Sequence, residues 1–148
     1  IREILNLIDN CGLINIDYAD VKRVLEKKGN CPSGLIGITE SLGEESDLIK
    51  KAKLALNNPL LEPDPKKVDR CIVSVAGDHQ LSLSKVDKII STITNEIPGK
   101  ASLKFGTALD PSLGSKIRIM ALGRGPISPY VKAAVNDSEF PTPNLKRL

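Results

Sequence analysis

The chain has 148 residues, 41% of them hydrophobic and 26% charged, with a net charge of +3. That is a soluble, globular composition with room for one core. It is too short for two full-sized domains, too apolar for a disordered chain, and without the run of ~20 apolar residues a membrane helix requires. Aromatic residues are only 3%, and a weakly basic balance without stacking aromatics argues against a nucleic-acid partner.

Residues 1–10 place Ile1, Ile4, Leu5 and Ile8 at helical spacing, and Asn10 to Gly12 end the pattern. Starting inside a helix, with no Met and no leader pattern, is expected of a piece of a longer protein. After a short loop a second helix is predicted from Asp17, with Tyr18, Val21, Val24 and Leu25 on its apolar face and Gly29 and Asn30 as its stop. Residues 33–39 read as a strand. Residues 43–57 read as a helix with acids early, lysines late, and a stripe of Leu48, Ile49, Ala52, Ala55 and Leu56. Pro59 ends it, and a turn-rich connector follows at 62–67.

The β-branched run at 70–76 is a strand. Residues 84–97 form an amphipathic helix with Val86, Ile89, Ile90, Ile93 and Ile97 in register, and Ser84 with Asp87 resembles a capping box. Two more strands lie near 101–108 and 116–124. In the last, Ile117, Ile119 and Ala121 alternate with Arg118, Met120 and Leu122. The link between these two strands is too short for a crossover helix, whereas the earlier strand–helix–strand units suit parallel crossovers. The predicted fold is α+β: a mixed four-stranded sheet in the order β-α-β-α-β-β, with the last strand antiparallel to the others. Beyond Arg124 the pattern is irregular, apart from one helical turn at 130–135, and Pro141 and Pro143 leave an extended tail.

Chemistry-bearing residues are few. Cys11, Cys31 and Cys71 form no C-x-x-C, and His79 is the one histidine. There is no metal cluster and no Cys-His or Ser-His-Asp nucleophile to argue, and unpatterned thiols fit a reducing, cytosolic compartment. Between 101 and 135, Lys104, Lys116, Arg118, Arg124 and Lys132 face only Asp110, an excess that reads as solvated strand edges. The informative stretch is GLINIDYADVKR at 12–23, where Asn15, Asp17 and Asp20 gather at a loop-to-helix junction. Asp17 is a good N-cap, and Asp20 is a first-turn acid that the helix dipole favours. The same carboxylates, held stiffly, also suit polarising a water.

This stretch resembles the loop after the long central helix in the FtsZ/tubulin family, with its pattern G-L-[IM]-N-[VLI]-D-[FY]-A-D-[VL]-[RK]. NPLLE at 58–62, VAG at 75–77 with LSL at 81–83, and FGTALDPSLGSKIRIMALGRG at 105–125 resemble further family motifs. The extra residue at His79 and the segment GNCPSGLIG depart from them. The family's Gly-rich phosphate loop, which cradles nucleotide phosphates with backbone N–H groups, has no counterpart here.

The resemblance therefore implies a C-terminal, activation domain of an FtsZ-type GTPase, inactive by itself. Residues 1–16 would be the end of the central helix and the catalytic loop, 17–125 the domain, and 126–148 an extension and tail. It implies strand order 1-4-2-3 and head-to-tail self-assembly at a cytoplasmic division ring. GTP and Mg²⁺ would be held mainly by the N-terminal domain of the neighbouring subunit, with no metal held by this chain. Asp17 and Asp20 would be catalytic, aligning the attacking water, and Asn15 would contact the nucleotide in trans. The tail at 139–147 faintly resembles a docking peptide for membrane-tethering partners. The alternative is a non-catalytic α+β interaction module that uses the capped helix start only structurally.

Overall fold

The strands form where β-branched and apolar residues alternate or run together, and the helices where the apolar period lengthens to that of a helix. The computed structural model describes residues 14–26, 34–57 and 64–125, together with Leu5, which is helical. In chain order these are α1 (Tyr18–Leu25), β1 (Gly34–Ser41), α2 (Glu45–Leu56), a 3₁₀ turn (Pro65–Lys67), β2 (Arg70–Gly77), α3 (Leu83–Glu96), β3 (Ser102–Leu109), a second 3₁₀ turn (Pro111–Leu113) and β4 (Ile117–Arg124). The helix expected over 1–10 (Leu5 apart), NPLLE at 58–62, Cys11, Cys31 and the tail lie outside the described residues.

The sheet order is β1-β4-β2-β3. β2 and β3 are parallel, and β4 is antiparallel to both β1 and β2. The expected α+β class, four strands, order and direction of β4 are all observed. β3 and β4 do not pair directly, because β2 lies between them. The short link between them instead spans one strand. Asp110 caps its 3₁₀ turn by accepting from the Ser112 N–H at 3.1 Å, and Gly114 at φ +56° reverses the chain.

The alternation of β4 builds two cores. Ile117, Ile119 and Ala121 join Leu35, Val73 and Val75 under α2 and α3, which supply Leu48, Ala52, Ala55, Leu56, Val86, Ile89 and Ile93. On the opposite face Met120, Leu122 and Ile72 pack with Ile16, Val21 and Val24 of α1 and its leading loop. Each fully buried aliphatic side chain contributes about 1.5–3 kcal/mol. At Gly37 an added Cβ would lie 1.8 Å from the carbonyl oxygen of Ala55. The bare glycine is what lets α2 approach β1.

Three expectations are corrected. α1 ends at Leu25, before Gly29, because Glu26 turns extended at φ −63°, ψ 131°. Tyr18 and Leu25 are 63% and 58% exposed, so only Val21 and Val24 of the expected apolar face are buried; one narrow stripe is all an eight-residue helix lays on the sheet. The cap of α3 is Ser82, whose hydroxyl accepts from the Lys85 N–H at 3.4 Å, and Ser84 sits inside the helix.

Candidate functional site

The loop at 14–17 is pinned to the free edge of the sheet. Ile14 donates its N–H to the Thr107 hydroxyl oxygen at 3.0 Å, and the Thr107 N–H donates to the Ile14 carbonyl at 2.7 Å. Edge strands have unpaired backbone groups, and here the loop uses one of them. Ile16 is buried against the sheet, and Gly106 makes room for it: a Cβ there would lie 2.6 Å from Ile16 Cγ1. Gly106 and Thr107 are the residues sequence reasoning missed. The signal was the F-G-T triplet at 105–107, which shows a motif without showing what it holds.

This anchoring presents the predicted residues on both sides of the start of α1. Asn15 and Asp17 are exposed. Asp17 is the N-cap, its carboxylate accepting from the Ala19 N–H at a long 3.4 Å and its carbonyl accepting from the Asp20 N–H at 2.9 Å and the Val21 N–H at 3.3 Å. Asp20, three residues on and so on the adjoining surface of the helix, has a side chain only 19% exposed. It leans toward Arg23 at 3.9 Å and borders a cavity over β2 and β3. The three residues thus share one rigid junction. Asn15 and Asp17 face solvent, while Asp20 is turned partly toward the sheet.

The cations between 101 and 125 are largely engaged. Arg118 donates to Glu40 from two nitrogens at 3.1 and 3.0 Å and lies 3.7 Å from Asp110. The Arg118 hydrogen bonds hold the Glu40 carboxyl below its ordinary range, assisted by Lys116. Arg124 donates to Asp69 at 2.6 and 3.0 Å and to the Glu26 carbonyl at 3.2 Å. Lys132 lies outside the described residues. His79 sits exposed in the β2–α3 turn, and burial pushes the Cys71 thiol up to about 12, which leaves it unreactive. Among the described residues no group of three His, Cys, Asp or Glu side chains is placed to hold a metal, and no helix is long and apolar enough to cross a membrane.

Comparison with known proteins gives one family. The family model described as "FtsZ family, C-terminal domain" matches residues 33–125. The chain is 33% identical over 140 residues to cell division protein FtsZ 1 of Thermococcus kodakarensis, covering 95% of this chain and 36% of that protein. It is 35% identical over 126 residues to cell division protein FtsZ of Caulobacter vibrioides, covering 84% and 24%. Among solved structures, an empty FtsZ dimer of M. jannaschii superposes with a TM-score of 0.69 at 30% identity over 82% of this chain and 34% of that one. GDP-form TubZ protofilaments of Bacillus thuringiensis serovar israelensis give 0.67 at 13% identity over 86% and 34%, a likeness of fold alone. The chain therefore spans between a quarter and about a third of the length of these relatives.

Proposed function

The chain belongs to the FtsZ family, as its C-terminal domain, and from that premise we propose that it is the activation half of a tubulin-like cell-division GTPase. In this reading subunits stack head to tail. The junction of Asn15, Asp17 and Asp20 on one subunit completes the nucleotide site of the next. The observation that carries the reading is the pinned loop: two hydrogen bonds to Thr107 and the close approach at Gly106 hold these polar groups stiffly at an exposed helix start.

The residues suit managing water better than gripping phosphate. The N–H groups of Ala19, Asp20 and Val21 are already taken by Asp17, so the start of α1 offers no empty phosphate cradle. GTP, with its Mg²⁺, would be held by the nucleotide-binding domain of the adjacent subunit and would supply the γ-phosphoryl group to be cleaved. Asp17 and Asp20 accept hydrogen bonds from the attacking water and orient it, and Asn15 touches the nucleotide. Phosphoryl transfer asks mainly for positioning and charge management, so two placed carboxylates are a sufficient contribution from this side. Supplying them in trans makes hydrolysis conditional on assembly. In the same proposal 1–16 is the end of the central helix with the catalytic loop, 17–125 is the domain and 126–148 is an extension. The last carries a docking segment at 139–147 for membrane-tethering partners at a cytoplasmic division site.

The test is GTP turnover of the full-length protein. Asp20→Ala lowers it by about two or more orders of magnitude, while stability changes by only about 0.3–1 kcal/mol, the scale of a first-turn acid. Asp17→Ala lowers turnover and also removes the N-cap, at a cost of about 0.5–1 kcal/mol. Mixing Asp20→Ala with unmodified subunits poisons turnover, because each site borrows its carboxylates from a neighbour. Wild-type turnover in Asp20→Ala filaments would leave the non-catalytic interaction module, in which Asp17 and Asp20 only cap a helix.

A further inference from the structure

On the α1 side of the sheet a cavity of about 220 Å³ opens between α1 and the first residues of β2 and β3. Its polar lining is Asp20 and Arg23 from α1, Arg70 from β2, and Ser102 and Lys104 from β3. Arg70 and Ser102 are register partners, and Lys104 lies two residues further along β3, so all three side chains rise from the same face. We propose that this cavity binds a phosphate group, as the free ion or as a phosphomonoester.

Charge is the first argument. Three cations face one carboxylate, a formal lining of +2, and Asp20 reaches Arg23 only at 3.9 Å. Arg70 and Lys104 make no ion pair or hydrogen bond with another described side chain. Arg70 also stands directly opposite Arg124 in the β2–β4 register. Like charges across a strand pair are destabilising. Arg124 is relieved by Asp69 at 2.6 Å, whereas Arg70 is not. An anion in the cavity gives Arg70 the counter-charge that Asp69 gives Arg124.

Shape and chemistry select the anion. Two guanidinium groups each offer a fork of parallel N–H donors, Lys104 adds a compact ammonium, and the Ser102 hydroxyl donates a further hydrogen bond. That set saturates a tetrahedral oxyanion better than a planar carboxylate. A phosphate group carries about −1.5 to −2 near neutral pH, which matches the lining. Val24 of α1 supplies the apolar part of the lining.

The inference does not rest on GTP hydrolysis, and its test uses no nucleotide. Sodium phosphate is titrated into the isotope-labelled 148-residue chain against sodium chloride at equal ionic strength, following backbone amide shifts. Expected are saturable shifts at Arg70, Ser102 and Lys104 with phosphate alone. Arg70→Gln and Lys104→Gln weaken the binding at least about tenfold, the loss of one charge-assisted hydrogen bond. Lys50→Gln, on α2 across the sheet, leaves it unchanged, and Asp20→Asn tightens it by removing the one opposing charge. Glycerol 2-phosphate run in parallel identifies the source: equal binding assigns the site to phosphomonoesters, and its failure assigns it to the free ion. Shifts in the unmodified chain that do not saturate, or that chloride reproduces, overturn the proposal whatever the variants do. So does equal weakening in Lys50→Gln.

Discussion

Thr107→Val is the sharpest probe of how the loop is held. Valine keeps the shape of threonine but removes the oxygen that accepts from the Ile14 N–H at 3.0 Å. The bond is partly buried, so the loss combines a net hydrogen bond, about 0.5–1.5 kcal/mol, with part of the cost of stranding the Ile14 N–H. Together these give about 1–2 kcal/mol. For a chain of this size that lowers Tm by about 3–6 °C. The local signature is larger than the global one. The Ile14 amide should exchange its hydrogen about 5- to 30-fold faster, while amides in β4 change only with global stability. Hydrogen exchange followed by NMR reads both quantities in one experiment. Exchange at Ile14 within twofold of the parent would refute the role of the Thr107 hydroxyl in holding the loop. The remaining anchors, the Thr107 N–H and Ile16 against Gly106, would then suffice to hold the loop.

Two further predictions concern the scaffold. Gly37→Ala forces a Cβ to within 1.8 Å of the Ala55 carbonyl oxygen and 2.7 Å of its carbon. Because the obstacle is backbone, α2 must lift off β1 at a cost of about 3 kcal/mol; denaturant midpoints measure it, and a loss under about 1 kcal/mol contradicts the close approach. Asp47 accepts from the Ser41 hydroxyl at 2.7 Å and the Leu42 N–H at 3.0 Å, and these hydrogen bonds, Ser41 first, depress its carboxyl in the folded state. A depressed folded value means that the unfolded chain takes up the proton first as pH falls, so the contribution is full above the unfolded value and disappears as pH drops through the folded one. Melting curves from neutral to acid pH should therefore show a smaller acid loss for Asp47→Asn than for the parent, and parallel profiles would remove Asp47 from that role.

Short-range patterns determined much of this protein. The alternation of Ile117, Ile119 and Ala121 with Met120 and Leu122 already set which residues share a face of the last strand, and in the structure each face joins one of the two cores. Asp17 at a helix start, the stripe of α2 and the shortness of the link at 109–115 were equally legible, because their causes lie within a few residues of the position concerned. The family's motifs added the strand order, which no local pattern contains. Local signals were weaker where several residues competed for one role. Ser82 took the α3 cap from Ser84, and Glu26 ended α1 ahead of Gly29.

Only the tertiary structure decided what holds the site. Ile14 and Thr107 are 93 residues apart, and the Arg118–Glu40 pair spans 78. Neither partner carries a mark of the other. β4 entered between β1 and β2, which left β3 as an edge whose free backbone groups the loop could use. The same insertion set Arg70 against Arg124. Such contacts are chosen by the burial and hydrogen bonding of the whole sheet at once, whereas periodicity and capping report only on neighbours along the chain.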